Sequence, residues 1–127
     1  MSELRNATRY KASAKVKIQG AAEGEIALKD LSVTGCRVES ADFSEIELNK
    51  QYIIEVLPEK NANIGAFDLM VESMWMRPGD NSYQVGFSII ASPKGKLFQR
   101  YVDYLSWRHS QGSSIDGDGA SENPPTA

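Results

Sequence analysis

"GEIALKDLSVTGCRVES", residues 24–40, contains two short runs of alternating residues with a polar turn between them. Ile26 and Leu28 occupy every second position of the first run, and Cys36 and Val38 do so in the second. Successive side chains of a β-strand point to opposite faces, so a period of two indicates a strand with one buried face. The segment SVTG between the runs has the composition of a turn. The stretch therefore predicts two strands joined by a turn.

The same period of two dominates most of the chain. Pro58 closes one β-branched run, and the segment RPGDNS predicts a turn before the last run. Together these patterns predict six strands, at residues 11–19, 24–32, 36–40, 51–58, 65–76 and 82–91. Six short strands at this spacing are typical of a small antiparallel barrel or sandwich. The predicted fold class is all-β with one C-terminal helix.

The pattern changes at Ser92, which is a suitable N-cap for a helix over residues 93–109 that starts with Pro93. A helix that packs on one side repeats apolar residues at intervals of three and four. The residues with this spacing are Leu97, Phe98, Tyr101, Val102 and Leu105. We expect this stripe to pack against the barrel. Residues 110–127 contain few apolar groups and many turn formers, which predicts a disordered tail.

The composition is that of one globular domain, with 127 residues, 41% hydrophobic residues and 24% charged residues. The net charge of −3 and the sequence pI of about 5.2 argue against a protein that binds DNA or RNA without specificity. Cys36 is the single cysteine and is expected to be a buried core residue. The sequence has no signal peptide and no apolar run long enough to insert into a membrane, so we expect a cytoplasmic protein.

Residues that could perform catalysis are few. His109 is the only histidine, and it lies at the end of the predicted helix. No cysteine or histidine cluster has metal-ligand spacing, and no serine lies in a G-x-S-x-G turn. We therefore predict neither an enzyme nor a metal site, and no cofactor.

Two short segments have the composition of an anion-binding site. Arg5 and Arg9 precede the first strand, and the fork of an arginine can bind phosphate or the O6 and N7 atoms of guanine. Asp30 and Ser32 lie at the end of the second predicted strand and Gly35 follows it; because Asp30 and Ser32 are two residues apart, we expect both on one face of the strand. Each segment also has a structural interpretation: the arginines could be a solvated arm, and the second segment could be a turn that closes a hairpin.

"RNATR" and "DLSVTG" in this order resemble the paired R-x-x-x-R and [DN]-x-S-x-x-G motifs of the PilZ domain family. The resemblance covers residues 5 to about 109 and includes "YQVGF" in the last strand and the C-terminal helix. It implies a six-stranded antiparallel PilZ-type β-barrel over residues 11–109. It also implies a receptor for the bacterial second messenger cyclic di-GMP, with Arg5, Arg9, Asp30, Ser32 and Gly35 as ligand-binding residues.

The resemblance further suggests how such a receptor works. Residues 1–10 would form a flexible arm that becomes ordered on the ligand, and a partner protein would recognise the changed surface. Because the arm begins the given chain, we expect a stand-alone adaptor, and Leu4 in place of a basic residue predicts one ligand per chain. The alternatives are a PilZ-fold interaction module that binds no nucleotide and an OB-like single-strand binder, for which the sequence lacks a basic groove.

Overall fold

The computed structural model describes residues 8–20, 25–41, 46–79 and 81–118, with side chains as far as residue 111. These residues form seven strands, a 3-10 turn at Lys60–Ala62 and one α-helix. The strands are β1 (Tyr10–Lys11), β2 (Lys15–Ile18), β3 (Ile26–Leu31), β4 (Gly35–Ser40), β5 (Gln51–Leu57), β6 (Phe67–Pro78) and β7 (Tyr83–Ala91). The helix α1 is Gly95–Asp118.

Six of the strands form a closed antiparallel barrel. The order around the barrel is β2, β5, β6, β7, β4 and β3, and β3 pairs again with β2. Closure removes the unpaired edges that an open sheet exposes. The prediction of a six-stranded antiparallel barrel with a C-terminal helix is confirmed.

The predicted first strand, residues 11–19, is divided in the structure. β1 pairs with Asp30 and Leu31 at the end of β3, whereas β2 pairs with Ala27 and Ile26 at its beginning. Between the two pairings, the three residues 12–14 of the first predicted strand lie opposite only two residues of β3, Leu28 and Lys29. An extra residue on one strand interrupts regular pairing, and this gives the seventh, two-residue strand.

The barrel core consists of the apolar faces that the alternation predicts. Fully burying one side chain of valine, leucine, isoleucine or phenylalanine contributes about 1.5–3 kcal/mol to stability. These faces are formed by Val16, Ile18, Ile26, Leu28, Cys36, Val38, Ile54, Val56, Phe67, Leu69, Val71, Val85 and Phe87. The barrel therefore has a filled interior, and the buried polar residues in the described part of the chain are the serines Ser32, Ser40 and Ser73.

The helix packs on the barrel through its apolar stripe, as the spacing predicts. Phe98, Tyr101, Val102 and Leu105 are buried, and the rings of Phe98 and Tyr101 each lie 6.0 Å from the ring of Phe67. No helix among the described residues is sufficiently long and apolar to cross a membrane.

The ends of two predicted segments differ from the structure. The helix begins at Gly95 instead of residue 93 and continues to Asp118 instead of ending near residue 109. Once a helix is nucleated, each further residue adds one hydrogen bond, so a helix can extend past its last packed side chain. Residues 119–127 of the predicted tail lie outside the described residues. In the predicted arm, residues 1–7 also lie outside them, and Tyr10 belongs to β1.

Candidate ligand-binding site

The β3–β4 hairpin is closed by a tight turn from Ser32 to Gly35. The backbone N–H of Ser32 donates to the carbonyl of Gly35 at 2.8 Å. The hydroxyl of Ser32 accepts hydrogen bonds from the N–H groups of Thr34 and Gly35, each at 3.1 Å. A side-chain oxygen that accepts backbone donors in this way stabilises a turn locally.

Ser32 thus has the turn geometry that the structural interpretation anticipates. The residue is only 1% exposed, and β3 already ends at Leu31. The expectation that Asp30 and Ser32 lie on one face of a strand is wrong, because Ser32 belongs to the turn and the alternation does not extend to it.

Asp30 is directed to the surface by the bulge in β3. Leu28 pairs with Val38 and Asp30 pairs with Arg37, so Lys29 is the additional residue. Leu28 and Leu31 are both buried, whereas Asp30 between them retains 14% exposure of its side chain. Bulges commonly redirect one side chain of a strand in this way. The carboxylate is therefore held at a fixed position on the barrel surface, close to the turn.

Arg9 lies directly beside this carboxylate. Its Nη1 donates to Oδ1 of Asp30 at 2.8 Å. The register of β1 explains the contact, because Lys11 pairs with Asp30 and Tyr10 with Leu31, so Arg9 follows at the diagonal position. The side chain of Arg9 is 49% exposed, which leaves much of its guanidinium group available to a ligand.

Gly35 allows two neighbouring groups, the carbonyl of Phe87 and the guanidinium group of Arg9, to lie close to the backbone of β4. A Cβ atom at this position would lie 2.8 Å from the carbonyl oxygen of Phe87 on β7 and 3.3 Å from Nη2 of Arg9. The first distance is too short for a carbon atom beside a backbone oxygen. Gly35 therefore permits both the pairing of β4 with β7 and the position of the Arg9 guanidinium group.

Arg37 is a third arginine of this cluster, and it belongs to neither of the two sequence motifs. Its Nε lies 2.9 Å from Oδ2 of Asp30, and its side chain is 30% exposed. A signal for it exists in the sequence: a turn from Ser32 to Gly35 places Asp30 opposite Arg37 in the hairpin, and opposite charges at paired positions attract each other.

The structure therefore brings four of the five predicted residues together. Arg9, Asp30 and Gly35 are in direct proximity, and Ser32 shapes the turn next to them. Arg5 lies outside the described residues. Two guanidinium groups around one carboxylate leave an excess of positive charge, which favours an anionic ligand. Arginine adds a planar fork for phosphate oxygens and a flat face for stacking.

Other chemistry near the cluster is limited. Burial raises the pKa of the Cys36 thiol to about 12, so this core residue remains protonated at neutral pH. In the described part of the chain, no three side chains of His, Cys, Asp or Glu lie together as a metal site would require. A surface cleft of about 390 Å³ is lined by Gln19, Lys50, Tyr52 and Met70, among others, and none of the predicted residues borders it. The candidate site is thus a surface cluster built by the hairpin and the segment before β1.

Comparison with known proteins finds similarity at the level of structure. No family model matches the sequence, and no curated protein sequence matches it. A structure of the Bacillus subtilis inhibitor of motility (MotI/DgrA) has a TM-score of 0.69 at 18% identity, over 84% of this chain and 51% of that chain. The PilZ domain of YcgR from Escherichia coli, solved with c-di-GMP, has a TM-score of 0.65 at 18% identity, over 87% of this chain and 97% of that domain.

A longer Escherichia coli YcgR chain, in complex with c-di-GMP, has a TM-score of 0.65 at 16% identity, over 88% of this chain and 49% of that chain. This chain thus spans about half the length of that YcgR chain and of the Bacillus protein. These matches cover 84–88% of this chain, which consists of a closed six-stranded barrel and a C-terminal helix. The chain therefore has the PilZ fold.

Proposed function

We propose that this protein is a receptor for cyclic di-GMP. The observation that carries the proposal is the contact of Arg9 with Asp30, which joins the two motif segments at one place on the barrel. Among solved structures of the same fold, the YcgR PilZ domain was determined with c-di-GMP. The proposal therefore combines the motif resemblance, the fold and the proximity of the motif residues.

Each residue of the cluster has a role that follows from its chemistry. Arg9, together with Arg5 from the preceding segment, binds phosphate oxygens and stacks on a guanine face. Asp30 accepts hydrogen bonds from N–H groups on the Watson–Crick edge of guanine, where adenine has the N1 acceptor. Gly35 permits the close approach of the Arg9 guanidinium group to the backbone. The hydroxyl of Ser32 stabilises the turn in which Gly35 lies.

The affinity of such a site is moderate. Ordering each backbone residue of the segment before β1 costs about 1–2 kcal/mol, which offsets bidentate arginine contacts of about 1–3 kcal/mol each. We expect a dissociation constant from sub-micromolar to micromolar, about −8 to −9 kcal/mol, with one ligand per chain. Binding changes the surface around Arg9, and a partner protein reads that change in the bacterial cytoplasm, where the messenger is present.

A second candidate is a PilZ-fold interaction module that binds no nucleotide. The observation that favours it is the engagement of both carboxylate oxygens of Asp30 by arginines of the same chain. A ligand has to compete with these contacts for Asp30. Under this alternative, the cluster of Arg9, Asp30 and Arg37 only stabilises the β3–β4 hairpin.

Isothermal titration of the full chain with cyclic di-GMP and cyclic di-AMP tests the proposal. The receptor hypothesis predicts a binding isotherm that saturates near one cyclic di-GMP per chain. It predicts weaker binding of cyclic di-AMP. It also predicts a melting temperature that rises with cyclic di-GMP concentration, because a ligand that binds only the folded state stabilises it. Absence of both heat and thermal shift with cyclic di-GMP favours the interaction module.

A further inference from the structure

Asp30 has two arginine partners that are held in different ways. Arg9 precedes the two-residue strand β1 and donates to Oδ1 from a side chain that is 49% exposed. Arg37 lies within β4, paired with Asp30 on one side and with Gly86 of β7 on the other. Arg37 is therefore held by two neighbouring strands, whereas Arg9 lies outside a strand, directly before the two-residue strand β1.

The side chain of Arg37 is also more constrained than that of Arg9. Its Nη1 donates to Oε1 of Gln84 at 3.4 Å, and its buried Nε lies 2.9 Å from Oδ2 of Asp30. The Nε–H is not aligned for a hydrogen bond, and no other described acceptor satisfies it. The contact with Asp30 is therefore an ion pair, and it favours a carboxylate that stays close, because a partly buried guanidinium group that loses its counter-charge is costly.

We propose that Arg37 is a positioning residue for base recognition. When a guanine N–H takes the place of Arg9 at Oδ1, Arg37 remains at Oδ2 and keeps the Asp30 carboxylate in its orientation. Each carboxylate oxygen offers about two lone pairs, so Oδ2 can accept from the ligand while Arg37 remains beside it as an ion-pair partner. The released Arg9 fork then becomes available to a phosphate of the same ligand. This inference rests on the proposed binding of cyclic di-GMP.

The exchange assigns different tasks to the two arginines. Arg9 contributes to affinity for any dianionic ligand that reaches the site, since it binds charge. Arg37 contributes to the choice of base, because it acts only through the orientation of Asp30. A change at Arg37 should therefore alter the ratio of affinities for cyclic di-GMP and cyclic di-AMP. A general loss of anion binding would weaken both affinities and leave their ratio unchanged.

Titrations with both dinucleotides test this assignment on the full chain. We expect Arg37→Gln to weaken cyclic di-GMP binding by about tenfold or more and cyclic di-AMP binding by a smaller factor, so that the affinity ratio falls. Arg37→Lys retains the charge without the planar group and should recover part of the ratio. Arg100→Gln removes an arginine from the exposed face of the helix and should change neither affinity.

A double-mutant cycle with Asp30→Ala separates positioning from general stabilisation. If Arg37 acts through Asp30, adding Arg37→Gln to Asp30→Ala should change cyclic di-GMP affinity by less than about twofold. Melting temperatures of the variants without nucleotide show whether each one folds. Should Arg37→Gln fail to fold, Arg37→Lys in both backgrounds provides the same comparison.

The outcomes distinguish this inference from the function on which it rests. A parent protein that binds no cyclic di-GMP overturns both. A parent that binds, together with an Arg37→Gln variant whose affinity ratio is unchanged, overturns the positioning role alone. Equal losses from Arg37→Gln with and without Asp30 have the same consequence, since they indicate direct contact or a purely structural effect.

Discussion

Nη1 of Arg9 and Oδ1 of Asp30 are separated by 2.8 Å although the two residues are 21 positions apart in the chain. Two features of the strand pairing produce this contact. The bulge at Lys29 turns Asp30 to the surface, and the pairing of β1 with the end of β3 brings the preceding residue to the same place. The pair connects the residue before β1 to the β3–β4 hairpin. A ligand that binds the Asp30 carboxylate therefore has to alter the contact that Arg9 makes with it.

Replacing Asp30 with alanine should remove most of the preference for guanine. The carboxylate matches the N–H donors of guanine and meets an acceptor in adenine, so Asp30→Ala should weaken cyclic di-GMP binding by about ten- to a hundredfold. Binding of cyclic di-AMP should change less. Titrations with both nucleotides measure the two affinities, and an unchanged preference in Asp30→Ala would assign base recognition to another residue.

Arg9→Ala should affect binding much more than folding. Loss of a bidentate contact should cost about 1–3 kcal/mol of binding free energy, about ten- to a hundredfold in affinity. The ion pair with Asp30 is partly exposed, so the unfolding free energy should fall by no more than about 1 kcal/mol. Titration and chemical denaturation measure the two effects. Arg9→Lys retains the charge and should restore only part of the affinity, and a full recovery would contradict a role for the fork.

Gly35→Ala should destabilise the barrel. The added methyl group would lie 2.8 Å from the carbonyl oxygen of Phe87 and 3.3 Å from Nη2 of Arg9. Relieving this overlap requires movement of β4 against β7, at a cost of about 1–3 kcal/mol. Gly65→Ala is a matched control, because nothing lies within 4 Å of the methyl group at that position. Equal unfolding free energies of the two variants in urea would show that the contact is not restrictive.

Cys36 should resist thiol reagents in the folded protein. Burial raises the pKa of its thiol to about 12, so only about one molecule in 10⁴ is a thiolate at pH 8, and the thiolate is the reactive form. We expect negligible labelling by a chromogenic disulfide reagent at pH 8 and complete labelling in guanidinium chloride. Rapid labelling without denaturant would indicate that the β3–β4 hairpin opens locally.

Glu59 should contribute to docking of the helix. Its Oε1 accepts from the hydroxyl of Tyr101 at 2.6 Å, and its Oε2 accepts from Nη1 of Arg108 at 2.9 Å. Burial is the main reason that the pKa of Tyr101 is raised, so this hydroxyl stays neutral and needs an acceptor. Glu59→Ala should lower the unfolding free energy by about 1–3 kcal/mol.

The control for this prediction is Glu47→Ala, which removes an exposed carboxylate. Tyr101→Phe should cost less than Glu59→Ala, because it leaves no buried hydroxyl without a partner. In the double variant the cost of Glu59→Ala should be reduced, and strictly additive costs would argue against the hydrogen bond as the source of the effect.

The alternation of apolar residues was sufficient to predict most of the fold. Strands with one buried face need a period of two, and a helix on the barrel needs a stripe at three- and four-residue spacing, so both signals are present in local sequence. Ile26 and Leu28 indicate β3 in this way, and Phe98 and Tyr101 indicate the packed face of the helix. The composition of SVTG similarly predicts the hairpin turn, which begins at Ser32.

The division of the first strand and the end of the helix were not predictable in the same way. The extra residue between β1 and β2 depends on how these strands pair with β3, and nothing in residues 12–14 themselves marks it. The helix continues beyond residue 109 through backbone hydrogen bonds, which leave no apolar pattern in the sequence. Both features arise from interactions of the backbone, to which side-chain periodicity is insensitive.

The sequence by itself determined the strands, the helix and the chemical types of the candidate residues, because these depend on neighbours within a few positions. Only the tertiary structure decided that Arg9 contacts Asp30, that Ser32 turns its hydroxyl into the hairpin and that Arg37 completes the cluster. Such contacts require the register between strands and the position of a bulge. Both are set by the closing of the whole barrel, where a shift of one residue would turn every side chain of a strand to the opposite face.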